Sequence, residues 1–374
     1  MVEVVVTGIG LRSCLGSLTQ TWQKVCQGET GLRFQQPFPD FPPLPLGLIT
    51  ATPSSLSDLV PILVEEALAD AQLTALLTDC AVVVGSSRAN QGQWEKLASA
   101  PSPALAHWLD FLPQQAAVLA SQAIGGASLS MAPMTACATG LWCIAQACDL
   151  IRQQRCQWAL AGAIEAPITP LTLAGFQQMG ALSKTGCYPF EQRREGLALG
   201  EGGAILVLES LTSAQARGAK IYGKVGHWGM TCDASHVSTP AVDNQSARLA
   251  IQKCLERSSL RPDAIQFIHA HGTGTRLNDQ REAQLIQQLF PPSVAVCSTK
   301  GATGHTLGAS GAIGAVVCLL ALAQQCLPPQ VGLQNPEFDL NFVAQARPEN
   351  LTNVLCLGFG FGGQNVALSF QRQL

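Results

Sequence analysis

Charged residues are scarce in this chain. They make up 13% of its 374 residues, about half of the share usual in globular proteins, which argues against disorder and against a solvated coiled coil. Basic residues are not in excess, because 22 Lys and Arg stand against 25 Asp and Glu, a formal net charge of −3. The composition therefore predicts no overall affinity for nucleic acid or anionic membranes. Apolar residues reach 47%, so we expect a compact fold of one large domain or two ordinary ones.

A long hydrophobic run is also missing. The longest uncharged run of small and apolar residues, Gly311–Ala323, has 13 residues, whereas a membrane helix needs about 20. It predicts a buried helix and no membrane span. The amino terminus carries Glu3 and a strand-like valine run in place of the basic start of a signal peptide. We therefore expect a cytoplasmic protein.

Closely paired cysteines are absent as well. The chain has 14 cysteines, but they occur singly within apolar segments and none forms a CxxC pair. This distribution predicts buried free thiols rather than a disulfide framework or a zinc site.

The order of apolar runs predicts a layered α/β fold, because short β-branched runs alternate with longer helical stretches. The predicted strands are Val4–Thr7, Ala81–Val84, Ala159–Ala161, Ala204–Leu208, Phe267–Ala270, Val294–Cys297 and Val354–Leu357. The predicted helices are Gln20–Gln27, Val60–Ala71, Gln114–Ala123, Ala138–Gln154, Gln245–Arg257, Asp279–Leu289 and Gly308–Gln324. We expect no regular structure in the proline-rich stretch Phe38–Ser57 and a second break near Leu211–Gly218.

Two segments resemble each other although they lie far apart in the chain. SLSMAPMTACATGLWCIAQACDLI and SVAVCSTKGATGHTLGASGAIGAVVCLLAL each suggest a strand, a polar turn and a helix of small residues. The similarity indicates an internal duplication, with chance similarity between two Ala/Gly-rich helices as the alternative.

Cys137 stands out among the cysteines by its position. It lies in TACATG, at the predicted start of a long helix. Helix amino termini favour a thiolate and can bind a developing oxyanion. Cys137 is therefore a candidate nucleophile, and a merely packed thiol is the alternative.

Two histidines lie in polar Gly/Thr turns, where a core-filling role is not expected. His271 follows His269 in HAHGTGT, and His305 follows Lys300 in STKGATGH. Alternation along a strand would place His269 and His271 on one face, but a zinc site lacks a third and fourth ligand at suitable spacing, so no metal is expected. Lys300 precedes its glycines, which excludes a phosphate-binding P-loop. We expect His271 and His305 to act in acid–base or hydrogen-bond catalysis.

A glycine-rich segment, GFGFGGQN, lies near the carboxyl end. Its glycines permit unusual backbone angles and close approach to a ligand, and Phe359 and Phe361 could wall a narrow apolar slot. A tight β-hairpin is the alternative.

In this order, these segments resemble the β-ketoacyl-(acyl carrier protein) synthases of the elongating type, which are thiolase-fold condensing enzymes. The similar segments cover most of the chain: VVVTGIGLRSCLG, TACATG, AGAIEAPITPLTLAGF, YPFEQRREGLALGEGGAILVLE, ARGAKIYGKVGHWGM, HAHGTGTRLND, STKGATGHTLGASGA and GFGFGGQN. The resemblance implies an α/β thiolase fold with two duplicated βαβαβαββ halves in a five-layer α-β-α-β-α sandwich. We expect residues 1–210 to carry the cysteine, and residues 211–374 to carry the histidines and the Gly/Phe loop.

The resemblance also implies roles for individual residues. Cys137 would accept the acyl group, His271 and His305 would act on the malonyl unit, and Lys300 would organise the site electrostatically. The backbone N–H groups of Cys137 and Phe361 would form an oxyanion hole. The other implied residues are Thr273 and Thr275, which would hold the phosphopantetheine arm of the carrier, and Asp279, Glu282 and Phe359, which would support the site.

The implied reaction is a decarboxylative Claisen condensation of an acyl thioester with malonyl-ACP through an acyl-cysteine, in fatty-acid, glycolipid or polyketide synthesis. It needs no cofactor. The implied partners are an acyl carrier protein and a second copy of the chain in a homodimer. Two alternatives stay open: a non-catalytic or decarboxylase-type partner subunit of another condensing enzyme, and a thiolase or acyltransferase, although the two histidines disfavour a thiolase.

The chain departs from the family pattern in several places. It is shorter before Val84 and around Leu97–Leu112, and Val60–Ala71 is acidic where relatives have a basic helix that docks the carrier. Possible basic contacts that remain are Arg193, Arg194 and Lys220. Gly314 stands where relatives place a glutamate that partners the lysine, so we expect Lys300 to pair with Glu282. Leu357, Gly358 and Gln364 are further replacements near the Gly/Phe loop.

Overall fold

The structure is a computed structural model and describes residues 2–74, 76–77, 79–98 and 108–373. Residues 99–107, within the shortened region around Leu97–Leu112, lie outside this description. The strands are β1 (Val4–Ser13), β2 (Gly16–Ser17), β3 (Arg33–Gln35), β4 (Leu44–Leu46), β5 (Cys80–Gly85), β6 (Leu129–Met131), β7 (Trp158–Glu165), β8 (Gly202–Ser210), β9 (Gly223–Cys232), β10 (Phe267–His269), β11 (Ala295–Cys297), β12 (Cys326–Leu327), β13 (Asn341–Phe342), β14 (Arg347–Pro348), β15 (Asn353–Gly360) and β16 (Gln364–Gln371). The helices are α1 (Leu18–Cys26), α2 (Leu56–Asp70), α3 (Gln91–Ala98), α4 (Gln115–Ala123), α5 (Thr139–Arg152), α6 (Pro170–Gln178), α7 (Leu211–Ala216), α8 (Gln245–Arg257), α9 (Arg276–Leu289), α10 (Lys300–Thr303) and α11 (Ser310–Gln324).

The strand order repeats itself in the two halves of the chain. The first half runs β1-β8-β7-β5-β6, and the second runs β9-β16-β15-β10-β11, with β13 added at its edge. In both, the first two pairings are antiparallel and the next two are parallel. β1 and β9 pair with each other and join the halves. The internal duplication is therefore present in the topology, while the boundary between residues 210 and 211 stays a prediction.

Alternating side chains of each half-sheet face two different apolar layers. In β5, Ala81 and Val83 pack towards α5 and α11, whereas Val82 and Val84 pack towards α2 and α4. The second half-sheet has the same arrangement, with α8 and α9 on its outer face. Two outer helix layers, two half-sheets and one shared helix layer give the predicted five-layer α/β sandwich.

The shared middle layer depends on small residues where α5 and α11 cross. Gly140 of α5 lies against the backbone of Ala312, and Gly311 of α11 lies against Leu141. A side chain at either glycine would push the two helices apart, because its Cβ would overlap the neighbouring helix. The crossing therefore fixes the amino-terminal end of α5 close to that of α11.

The apolar segment Leu307–Gln324 is long and hydrophobic enough to cross a membrane, but 89% of it is buried inside the protein. Its neighbours are the strands of both half-sheets and α5. The prediction of a buried core helix in this segment is confirmed.

Two stretches predicted to be irregular contain regular structure. Within the proline-rich stretch, β4 forms a strand that pairs with the preceding β3, and Pro45 is tolerated because this two-stranded ribbon has free edges. α2 begins at Leu56, earlier than predicted, because Ser55 caps it through the Asp58 backbone. The break near Leu211–Gly218 holds the short helix α7, capped by Ser210.

Candidate active site

Cys137 lies on a strained turn directly before α5. Ala136 has a φ of +48°, which is rare for a residue with a side chain. The Thr139 hydroxyl stabilises this turn, because it donates to the Ala136 carbonyl at 2.7 Å and accepts from the Thr135 N–H at 2.9 Å. The turn directs the thiol into a cavity of about 520 Å³ that His271, His305, Phe359 and Phe361 also line.

Burial dominates the acidity of this thiol. All fourteen cysteines are free thiols, and Cys137 is 8% exposed. Burial raises the pKa of Cys137 to about 11, and the charges of Lys300 and Arg88 lower it only in part. Burial therefore outweighs the helix amino terminus, which favours a thiolate, and the neutral thiol is the favoured form in the unliganded protein.

The two histidines predicted to be catalytic lie side by side. The rings of His271 and His305 are nearly perpendicular, with centroids 5.5 Å apart, and both are buried. Burial, then the charge of Lys300, holds the pKa of each histidine well below its ordinary value. Both rings are therefore neutral at physiological pH.

Hydrogen bonds assign the tautomer of each neutral ring. The Leu307 N–H donates to Nδ1 of His305 at 3.1 Å, and Nζ of Lys300 lies 3.5 Å from Nδ1 of His271. Because Nδ1 faces a donor in both rings, the proton of each neutral imidazole belongs on Nε2. The pair thus offers two N–H donors from neutral rings.

Lys300 does not pair directly with Glu282 as expected. Its ammonium group donates to the His271 carbonyl. The Glu282 carboxylate instead accepts from the backbone N–H groups of His271 and Gly272, at 2.6 and 2.7 Å. The two charges therefore act on the same backbone segment from opposite sides. Burial raises the pKa of Glu282 to about 7 and lowers the pKa of Lys300.

A second buried carboxylate holds the Gly/Thr turn after His271. One oxygen of Asp279 accepts from the N–H groups of Thr273 and Gly274, at 3.0 and 3.2 Å, and the other accepts from Phe190 at 2.7 Å. Arg194 lies 3.6 Å from this carboxylate and is itself 1% exposed. Arg194 is thus an internal counter-ion, which corrects its expected role as a surface contact for the carrier.

Two threonine hydroxyls in the lining of the cavity lie 2.8 Å apart. They belong to Thr273 and Thr275, next to Arg276 at the start of α9. The lining thus has a polar part at these threonines and an apolar part where Phe176 packs on Phe361, with centroids 6.1 Å apart.

The glycine-rich segment forms a hairpin and also lines the cavity, so the two interpretations of it are compatible. β15 and β16 pair along their length, and the turn passes through Phe361. Gly360 lies so close to Cys137 that a Cβ there would be 3.1 Å from the Cys137 nitrogen. The backbone of Phe361 lowers the pKa of the Cys137 thiol slightly, as expected for an N–H group near the sulfur.

His269 has surroundings different from those of His271. Its Nε2 lies 3.1 Å from the Thr299 hydroxyl, and its Nδ1 lies 3.8 Å from the Cys356 sulfur. The expected shared face fails because β10 ends at His269, so strand alternation does not extend to His271. Sequence reasoning also missed Phe176 and Glu165. Both lie in the family-like segment AGAIEAPITPLTLAGF, but nothing in that segment distinguished these two residues from their neighbours.

Family models match both halves of the chain. The model described as "Beta-ketoacyl synthase, N-terminal domain" matches residues 55–214, and the one described as "Beta-ketoacyl synthase, C-terminal domain" matches residues 222–334. A 3-oxoacyl-[acyl-carrier-protein] synthase 2 of Synechocystis is 43% identical over 251 residues, which cover 64% of this chain and 60% of the relative. One from Staphylococcus aureus is 36% identical over 271 residues, covering 70% of this chain and 67% of the relative.

Solved structures of similar proteins match over the whole chain. A beta-ketoacyl synthase from Burkholderia phymatum has a TM-score of 0.87 at 27% identity. A ketosynthase of a type II PKS, solved in complex with its acyl carrier protein and bound to the hexaketide, has a TM-score of 0.91 at 26% identity. Each alignment covers 100% of both chains.

Proposed function

This chain belongs to the beta-ketoacyl synthase family, and on that premise we propose that it is a 3-oxoacyl-ACP synthase. It condenses an acyl thioester with malonyl-ACP, with loss of carbon dioxide, in fatty-acid, glycolipid or polyketide synthesis. The observation that carries the proposal is the pair of neutral histidines, each with its proton on Nε2, in the cavity that also holds Cys137.

In the first half-reaction, the Cys137 sulfur attacks the acyl thioester, and the carrier thiol leaves. The thiol proton goes to the departing sulfur, so the protein keeps no net charge. The oxygen of the tetrahedral intermediate accepts from the backbone N–H groups of Cys137 and Phe361. This role is supported by the close approach of the two backbone segments, since a Cβ on Gly360 would lie 3.1 Å from the Cys137 nitrogen.

In the second half-reaction, the malonyl thioester loses carbon dioxide and becomes an enolate. His271 and His305 donate their Nε2 protons as hydrogen bonds to the enolate oxygen, which favours decarboxylation. The enolate carbon then attacks the acyl-cysteine, the C–S bond breaks, and Cys137 leaves as a thiolate that takes a proton from water to restore the thiol. Burial, assisted by the charge of Lys300, keeps both imidazoles neutral, and Lys300 also holds the Nε2 tautomer of His271.

The substrates arrive on an acyl carrier protein in this proposal. The adjacent hydroxyls of Thr273 and Thr275 suit the amide groups of a phosphopantetheine arm, because both line the cavity that holds Cys137. Asp279, Glu282 and Phe359 hold the turn and the aromatic wall in place. The related type II PKS ketosynthase, solved with its carrier, supports this partner.

We further propose a soluble cytoplasmic homodimer. β6 is the last strand of the first half-sheet, and its outer edge pairs with no strand among the described residues. A second copy could add its own β6 there, which would remove two free sheet edges.

The test is a condensation assay with purified protein, acyl-ACP and malonyl-ACP. We expect a 3-oxoacyl product and an acyl adduct on Cys137 by mass spectrometry, both absent in Cys137→Ala and both present in the control Cys26→Ala. Equal condensation by Cys137→Ala would reject the mechanism. If the parent makes no product but changes the chain length made by another synthase, the partner-subunit alternative is correct.

A further inference from the structure

Arg88 places a cation next to the apolar wall of the cavity. It lies on the loop between β5 and α3 and is half-buried. Its guanidinium carbon is 5.6 Å from the centre of the Phe176 ring. Phe176 lines the cavity together with Cys137, and both residues belong to one apolar cluster. A positive charge is unexpected beside a wall of this composition.

The guanidinium of Arg88 has no counter-ion among the residues that the structure describes. The carboxylate of Glu165, at the end of β7, binds the backbone of this loop, and backbone and hydroxyl donors already occupy it. It accepts from the N–H groups of Arg88 and Gly308, both at 3.2 Å, from the Ser86 hydroxyl at 2.9 Å and from the Ser87 N–H. No hydrogen-bond acceptor for the guanidinium is found among the residues that the structure describes, so its five N–H donors are available to a ligand beside the Phe176 ring.

The residues that follow Arg88 border a second cavity. Ala89 and Asn90 line an open cavity of about 930 Å³ together with Ile168. Ile168 belongs to the same apolar cluster as Cys137 and Phe176. An acyl chain that extends from the sulfur along the Phe176 ring therefore comes within reach of the Arg88 side chain, whose guanidinium lies against that ring.

We propose that Arg88 selects acyl groups that carry an oxygen acceptor, a keto group or a carboxylate, over saturated chains of equal length. This inference rests on the proposed function and names the substrate class of the same site. The guanidinium of Arg88 is a specificity determinant for the acyl group, and it takes no part in the bond-forming steps.

The physical basis is the hydration of the guanidinium. A methylene chain that passes it removes water and offers no hydrogen-bond acceptor in return. A keto oxygen replaces the lost water, and a carboxylate does so with a charge-assisted and often bidentate hydrogen bond. Sites built around a hydrogen-bonding group discriminate strongly against analogues that lack its partner. The charge of Arg88 also lowers the pKa of Cys137, which agrees with a position near the sulfur.

The experiment compares three six-carbon thioesters: hexanoyl, 5-oxohexanoyl and adipoyl. The rate of acyl transfer to Cys137 is followed by intact-protein mass spectrometry, and condensation is measured with malonyl-ACP. We expect the parent to prefer the oxygen-bearing groups over hexanoyl by about tenfold in kcat/KM. Arg88→Met should remove this preference, Arg88→Lys should keep it for adipoyl alone, and the control Arg261→Met should not change it.

The outcomes separate the two proposals. A preference for both oxygen-bearing groups that disappears in Arg88→Met supports a general acceptor site, and a preference for adipoyl alone supports a carboxylate site. If the parent condenses but Arg88→Met leaves the ratios unchanged, the role of Arg88 is wrong and the proposed function stands. If the parent accepts none of the three groups nor any other acyl-ACP, both proposals fail. Thermal unfolding of each variant verifies folding.

Discussion

His269 occupies the space that a side chain at position 314 would need. A Cβ added to Gly314 would lie 2.6 Å from His269 Nδ1 and 3.0 Å from the Cys356 sulfur. The imidazole is held in place through its contact with the Thr299 hydroxyl. The glycine in α11 and the histidine at the end of β10 are therefore complementary, and the glutamate expected from the resemblance would not fit here.

Gly314→Ala should lower the free energy of unfolding by about 2 kcal/mol, because the methyl group overlaps a confined ring in the core. Gly314→Glu should cost more, since it also buries a carboxyl group. Urea denaturation measures both. Gly175→Ala in α6 is the matched control, because no atom lies within 4 Å of the added Cβ; it should be neutral or slightly stabilising. Addition of His269→Ala should recover most of the loss, and no recovery would contradict the steric explanation.

His305→Asn should separate the two half-reactions. Acyl transfer to Cys137 needs no imidazole donor in our mechanism and should persist. Condensation should fall by about 10²-fold, because one of the two donors to the enolate oxygen is lost. Rapid-quench mass spectrometry of the acyl-enzyme, together with product formation, measures the two steps. An equal loss in both steps would mean that His305 acts on acylation as well.

The depressed histidine pKa values predict a pH dependence of stability. Below the unfolded-state pKa of about 6.5, the unfolded chain binds a proton at His305 that the folded protein does not. The contribution of this group to stability therefore decreases as the pH falls below about 6.5, by up to about 1.4 kcal/mol per pH unit. Glu282, whose pKa is raised to about 7, has the opposite effect. Its contribution to stability increases as the pH falls from about 7 to 4.5.

The comparison of parent and His305→Asn isolates this contribution. The difference in their free energy of unfolding, measured in urea at several pH values between 5 and 7, should change in favour of the variant as the pH falls. A difference that is constant with pH would show that His305 titrates normally in the folded protein.

Alkylation of Cys137 should be slow at neutral pH. With a pKa of about 11, about one thiol in a thousand is ionised at pH 8, because each pH unit below the pKa reduces the thiolate tenfold. The rate with iodoacetamide should rise about tenfold per pH unit between pH 7 and 9. Peptide mapping assigns the modified residue, with the exposed Cys232 as an internal reference. Rapid, pH-independent labelling of Cys137 would contradict a buried neutral thiol.

The sequence predicted the helices and strands that have a clear apolar pattern, and it predicted the candidate functional residues at their ends. Cys137, His271 and His305 each lie in a polar turn beside a buried strand or helix, and such turns converge at one end of an α/β layer. The predicted strand in Val354–Leu357 is part of β15, but its partner β16 and the strand β9 were not predicted, because glycines and polar residues interrupt their apolar pattern.

Contacts between distant segments could not be predicted from local pattern. The expected pairing of Lys300 with Glu282 considered two charges only, whereas the structure gives each of them a different part of the His271 backbone. Arg88 and Phe176 are 88 positions apart, and no single motif contains both, so their contact follows only from the fold.

The tight contact between α5 and α11 at Gly140 and Gly311 has a consequence for how this protein can diversify. Cys137 precedes α5 and His305 precedes α11 by only a few residues. The crossing therefore leaves almost no freedom to change the distance between the sulfur and the imidazole. A change of substrate must therefore come from the surrounding loops, because their residues can be exchanged without moving the reacting groups. Engineering for new products should begin at those loops and leave the crossing untouched.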